Sequence, residues 1–180
     1  SVGNPLPCLK MKIFEPNADG EGEICVNGPT VMLGYYKQPE LTAEVLEPDG
    51  WFHTGDFGKV GEDGRLYITG RKKNMIVLRN GKNIYPEEIE EYLGGISEVS
   101  EVIVTALRSE DGEETRLCAE IFPGDELVGK KTDDELYTLL KTAVEKVNDG
   151  LPSYKRVTKV VVRKTPFDKT TSGKIRRKYN

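Results

Sequence analysis

Three stretches of the chain combine residue types that could do chemistry. In Gly50-Trp51-Phe52-His53-Thr54-Gly55-Asp56, a carboxylate follows a Thr-Gly turn. An acid so placed can accept two hydrogen bonds from a vicinal diol, as a ribose offers, or it can be a plain turn acid. In Gly70-Arg71-Lys72-Lys73-Asn74-Met75-Ile76, Arg71 could pair with a phosphate or ribose oxygen, or the charges could be a solvated linker. In Thr170-Thr171-Ser172-Gly173-Lys174, a flexible loop could deliver one lysine to a developing negative charge, the alternative being a disordered basic tail.

Neighbouring chemistries fail on spacing. The third stretch is not a phosphate loop: Asp168 stands where that pattern needs its first glycine, and Ile175 where it needs Ser or Thr. The Asp-Gly turns lack the Asp-x-Asp-x-Asp-Gly spacing of a calcium loop. His53 is the only histidine, so no two-His metal site can form, and no Gly-x-Ser-x-Gly elbow is present for it to serve. It reads as a surface or strand-edge histidine. No metal site is expected. Cys8, Cys25 and Cys118 are far apart and odd in number, which suits neither a disulfide framework nor zinc. With no signal-peptide pattern at Ser-Val-Gly-Asn-Pro, a cytoplasmic protein is expected, peripheral membrane contact being left open.

The elements that must position these groups change character near residue 71. Up to there, short strands and turns dominate. Leu9–Phe14 alternates apolar with basic, Glu23–Asn27 follows a Gly-rich turn, and Pro39–Leu46 reads as a short helix. Asp56–Val60 and Arg65–Thr69 flank Glu62-Asp63-Gly64, a turn whose glycine suits a positive φ. After residue 71, Ile76–Leu78 and Lys82–Ile84 surround Asn80-Gly81, a strong hairpin signal. Pro86 opens a helix that Gly94-Gly95 limits, and Val102–Leu107 and Leu117–Phe122 read as strands parted by Asp111-Gly112. Thr132 and Glu135 make a capping box for a helix whose stripe is Leu136, Leu139, Leu140, Ala143, Val144 and Val147, stopped by Gly150 and Pro152. A last strand, Val157–Val162, precedes a basic, flexible end. The expected class is α+β: a small antiparallel β subdomain, a partial barrel, then a compact α+β domain.

At 180 residues, with 37% hydrophobic and 31% charged residues, the chain has room for one ordinary domain or two small ones. No apolar run approaches the roughly 20 residues that span a bilayer, so no transmembrane segment is expected. The net charge of -4 is unevenly placed. Residues 154–180 hold ten Lys/Arg against Asp168 alone, and Arg71–Lys82 holds five Lys/Arg and no acid. Two basic segments in an acidic chain suggest a local polyanion site; the pI near 5.3 counts against non-specific nucleic-acid binding.

Taken in order, the motifs resemble the acyl-CoA synthetase family of AMP-forming ligases, relatives of luciferases and of peptide-synthetase adenylation domains. The matching residues are Gly22-Glu23-Ile24-Cys25-Val26-Asn27-Gly28, Gly34-Tyr35, Pro39-Glu40-Leu41-Thr42, Thr54-Gly55-Asp56, Gly70-Arg71-Lys72-Lys73, Asn80 through Glu90, and Thr171-Ser172-Gly173-Lys174. Met75 through Glu90 looks most like bacterial long-chain fatty-acid members. The family's Ser/Thr/Gly-rich phosphate loop and acyl pocket have no counterpart here, so the chain resembles a C-terminal piece, inactive alone.

The resemblance implies residues 1–72 as the last β subdomain of a large N-terminal region and 73–180 as a small mobile domain hinged near Lys73. It implies Asp56 on the ribose hydroxyls of ATP, Arg71 at the ribose and phosphate, and Lys174 bridging the substrate carboxylate and the α-phosphate. Gly81 would let the pantetheine arm of coenzyme A pass, and magnesium, held in the preceding region, would help pyrophosphate leave. An adenylation domain for an aryl acid or a carrier protein, and a non-enzymatic anion- or nucleic-acid-binding module, are the alternatives.

Overall fold

The alternating segment after Cys8 forms the outer strand of a four-stranded antiparallel sheet. The computed structural model describes residues 1–78, 81–108 and 114–177, which fall into two units, Ser1–Met75 and Ile76–Asn180. In the first unit, β1 (Lys10–Phe14), β2 (Gly22–Asn27), β3 (Phe52–Val60) and β4 (Leu66–Arg71) pair in sequence order. The result is an open sheet, not a closed barrel. Asn17 turns β1 into β2: its side-chain oxygen accepts the N–H groups of Asp19 and Glu21. Between β3 and β4, Gly64 takes φ +75° as the Asp-Gly turn requires. Helix α1 (Pro39–Val45) starts with proline in its first turn.

Strand β3 begins four residues before the expected Asp56. Gly50 and Gly55 suggest a break there, but His53 and Phe52 pair with Cys25 and Val26 of β2. The register then shifts between Glu23 and Cys25, so a bulge absorbs the irregularity and the strand continues.

In the second unit, β5 (Ile76–Val77) and β6 (Asn83–Ile84) form a short ribbon; Asn80 of its turn lies outside the described residues. Helix α2 (Pro86–Gly94) follows, with Glu87 and Glu88 in its first turn. Strands β7 (Glu101–Arg108), β8 (Glu114–Phe122) and β9 (Val157–Val162) form one sheet, β8 running antiparallel to β7 and parallel to β9. A parallel pair needs a long crossover, and α3 (Asp125–Lys130) and α4 (Asp133–Asp149) supply it. The expected turn at Asp111-Gly112 lies outside the described residues.

The capping box that opens α4 is present: Glu135 N–H donates to Thr132 Oγ1, and Thr132 N–H donates to Glu135 Oε2 at 2.8 Å. Leu140 and Val144 of the apolar stripe join Ile89, Leu93, Val104, Leu117 and Ile121 in the main core. Each such aliphatic side chain contributes about 1.5–3 kcal/mol when fully buried. Ile103, Phe122 and Phe167 make a second, smaller cluster. All three cysteines are free, and among the described residues no helix is long and apolar enough to cross a membrane.

Candidate functional site

Antiparallel register sets Asp56 of β3 directly opposite Arg71 of β4, and their side chains meet with Nε 3.0 Å from Oδ1. Both stay accessible, the carboxylate 28% exposed and the guanidinium 50%. The approach to Asp56 is shaped locally. Thr54 Oγ1 donates to the Ile24 carbonyl and accepts the Asp56 N–H, while Gly55 holds φ +72°, a backbone state that disfavours a Cβ even though open space surrounds it. A carboxylate held by an arginine on one oxygen, with part of its surface open, can accept hydrogen bonds from a diol without losing its support.

Beneath this pair lies a buried carboxylate that reading the sequence missed. Glu23 is 4% exposed. It accepts the Gly55 N–H at 3.2 Å, the Lys72 ammonium at 2.9 Å and His53 Nδ1 at 3.1 Å. The other imidazole nitrogen, Nε2, lies 2.7 Å from Glu47 Oε1. Burial alone would push the Glu23 carboxyl up, but Lys72 and His53 outweigh it and hold it below the usual range. Burial would likewise lower His53, and the carboxylates of Glu47 and Glu23 at its two nitrogens overcome that and raise it.

His53 is therefore not a surface or edge histidine. It sits on β3, an inner strand, and bridges two acids. Its Nδ1 also lies 3.4 Å from Cys25 Sγ, but burial, reinforced by Glu23, pushes that thiol up to about 11, so no thiolate nucleophile is at hand near neutrality.

Lys73 lies in a 3-10 turn, Lys72–Asn74, that follows β4. Gly81 lies in the β5–β6 turn with φ +76°, its N–H donating to the Leu78 carbonyl at 2.8 Å. As at Gly55, conformation rather than space calls for glycine, since a Cβ there would meet nothing within 4 Å.

Lys174 stands at the tip of a small hairpin rather than on a loose loop. Lys169 and Ile175 pair as a bridge, Thr170 N–H donates to the Lys174 carbonyl at 2.8 Å, and Gly173 turns with φ +78°. The Lys174 side chain is exposed, with no hydrogen-bond or ion-pair partner among the described residues. The segment is docked as far as Arg177, the last described residue, which corrects the expectation of a flexible basic end there. Lys155, Arg163, Lys164, Lys169 and Arg177 pair with Glu88, Glu120, Asp133, Glu101 and Glu90. These partners come from α2, β7, β8 and α4, so five of the ten cations in residues 154–180 are met by acids distant in sequence. Lys178 lies outside the described residues.

Of the five residues singled out, Asp56 and Arg71 touch, whereas Lys73, Gly81 and Lys174 each sit on a separate turn. Among the described residues no three His, Cys, Asp or Glu side chains gather into a metal site.

The chain is similar to proteins of known activity. The chain is 39% identical over 184 residues to a long-chain-fatty-acid–CoA ligase of Salmonella typhimurium, covering 99% of this chain and 30% of that protein. It is 34% identical over 184 residues to the mitochondrial medium-chain acyl-CoA ligase ACSF2 of Macaca fascicularis, covering 98% of this chain and 28% of that one. Among solved structures, o-succinylbenzoate CoA synthetase (MenE) from Bacillus subtilis, in complex with the acyl-adenylate intermediate OSB-AMP, superposes with a TM-score of 0.73 at 26% identity over 95% of this chain and 33% of that one. The chain thus spans about a third or less of each of these proteins. The model of the family described as AMP-binding enzyme C-terminal domain matches residues 73–179, and the chain belongs to that family.

Proposed function

We propose that this chain is the C-terminal part of an ATP-dependent, AMP-forming acid–CoA ligase acting on a fatty acid. The observation that carries the reading is the cross-strand Asp56–Arg71 pair, a half-exposed arginine fixing a carboxylate that keeps surface for a diol. The ligase relatives, aligned over nearly the whole chain, support the same class.

In the first half-reaction the substrate carboxylate attacks the α-phosphate of ATP, forming acyl-adenylate and releasing pyrophosphate. Asp56 holds the two ribose hydroxyls by charge-assisted hydrogen bonds, and Arg71 orients that carboxylate and faces the phosphate side. Lys174 bridges the acyl carboxylate and the α-phosphate, where its ammonium offsets the charge that builds as the bond forms. In the second half-reaction the thiol of coenzyme A attacks the acyl carbon and AMP leaves. Lys73 is the hinge on which the second unit turns between the two steps, and Gly81 leaves room for the pantetheine arm. No residue of this chain is assigned to magnesium, which the preceding region would hold.

The test uses the full-length enzyme and reads the half-reactions separately. Lys174→Ala is expected to lower acid-dependent ATP–pyrophosphate exchange by roughly a thousandfold, the scale of losing one group aimed at developing charge. Conversion of supplied acyl-adenylate to acyl-CoA should continue. Equal loss in both steps would remove Lys174 from the bridging role. Supplying an aryl acid or a carrier protein in place of a fatty acid or coenzyme A separates the neighbouring ligase readings. A stand-alone nucleic-acid binder is disfavoured by the paired cations of the C-terminal segment.

A further inference from the structure

The hairpin that presents Lys174 is too small to hold itself, since an isolated two-stranded turn is marginal in water. Its geometry comes from anchors on both limbs. On the incoming limb, the Phe167 ring is buried with Ile103 and Phe122, and Ile175 packs on the same cluster. Glu101, at the start of β7 and only 10% exposed, accepts the Phe167 N–H at 2.7 Å and pairs with the Lys169 ammonium. On the outgoing limb, Arg176 N–H closes on the Asp168 carbonyl at 2.7 Å. Next to it, Arg177 Nη2 donates to Glu90 of α2 at 2.6 Å, and Nη1 donates to the Val104 carbonyl at 3.2 Å. Glu90 also accepts the Val104 N–H at 2.6 Å, so one carboxylate ties the hairpin to both α2 and β7. Arg177 and Glu90 are each 16% exposed.

Ion pairs taken this far out of water are a poor route to stability, because desolvation offsets most of the attraction. What they do supply is geometry. A guanidinium with one nitrogen on a fixed carboxylate and the other on a strand carbonyl admits few orientations, and here it fixes the segment three residues from Lys174.

We propose that Glu90 and Glu101 are positioning residues for Lys174: two acids, from α2 and β7, that clamp the two limbs of its hairpin and so set where the ammonium is delivered. The proposal rests on the reading of Lys174 as the lysine of the adenylation step.

The experiment measures both half-reactions of the full-length enzyme for Arg177→Gln and Glu101→Ala, one variant per limb. Adenylation is expected to fall about a hundredfold, as misplacement of a reacting group by an ångström does. Thioester formation from supplied acyl-adenylate should change less than about twofold, which also reports that the protein is folded. Arg177→Lys keeps the charge but not the fork and should recover part of the loss. In a Lys174→Ala background the two clamp variants should lower residual adenylation no further, because they act through that lysine. Unchanged adenylation, an equal loss in both half-reactions, or an additive loss in the Lys174→Ala background would each overturn the clamp. Should Lys174→Ala itself leave adenylation intact, the underlying reading of Lys174 fails first, and that outcome is distinct from failure of the clamp.

Discussion

The two units of this molecule hold a charged group in place by different means. In the first, Asp56 and Arg71 are brought together by strand register alone, fifteen residues apart in sequence on adjacent strands, with Glu23 gripping the backbone beside one and the lysine beside the other. In the second, Lys174 stands on a turn whose position depends on acids 66 and 87 residues from their partners. A ladder fixes a pair cheaply, because the backbone bonds are needed anyway. The hairpin of Lys174 has only its own few backbone bonds and belongs to none of the sheets, so side chains must anchor it. The first arrangement should therefore tolerate loss of its charged pair without loss of fold, while the second should lose position as soon as a clamp is removed.

The sharpest way to break this comparison is Asp56→Ala in the full-length enzyme. Two hydrogen bonds to a charged acceptor, at roughly 1.5 kcal/mol each, correspond to about a hundredfold fall in kcat/KM for ATP in the adenylation step. The melting temperature should hardly move, because a partly exposed ion pair contributes little to stability. A large drop in melting temperature would show that the pair is structural and that register alone does not hold the first unit.

A smaller effect is expected at Lys73→Pro. Proline fixes φ in the turn between β4 and β5, so one conformer is favoured and one half-reaction should slow about tenfold relative to the other. An unchanged ratio of the two rates would contradict the hinge role.

The smallest effect sharpens the part played by the Glu23–His53–Glu47 hub. The carboxylates of Glu47 and Glu23 favour the protonated form of His53 and outweigh its burial, so its folded pKa lies above the ordinary value of about 6.5. The stability this supplies is complete below that ordinary value and is lost as pH rises through the folded one. Glu23 works the other way: its pKa is depressed, so its contribution is present above the ordinary carboxylate value of about 4.3 and is lost on acidification. Melting temperature should then be highest between these limits and decline by a few degrees toward alkaline pH, and His53→Gln should flatten the alkaline decline. A wild-type profile as flat as that of the variant would count against the bridge.

Much of this was legible in the residues. The alternation of Leu9–Phe14, the Asp63-Gly64 turn, the Thr132–Glu135 capping box and the stripe on α4 are local signals, set within a few residues by backbone sterics and by one face or the other turning from water. The family motifs around Asp56, Arg71, Gly81 and Lys174 are equally short, so the chain could be read as a piece of an adenylate-forming ligase before its fold was known. What those signals could not carry was which charges meet. Counting placed ten cations near the C-terminus; only packing α2 and β7 beneath that segment brought Glu90 and Glu101 to Arg177 and Lys169. The same holds for Glu23, an acid in an apolar strand that looked ordinary until the sheet set Lys72, His53 and Gly55 around it. Periodicity is a property of neighbours along the chain, and therefore written in sequence; pairing of buried charges is a property of neighbours in space, and the tertiary fold alone decides it.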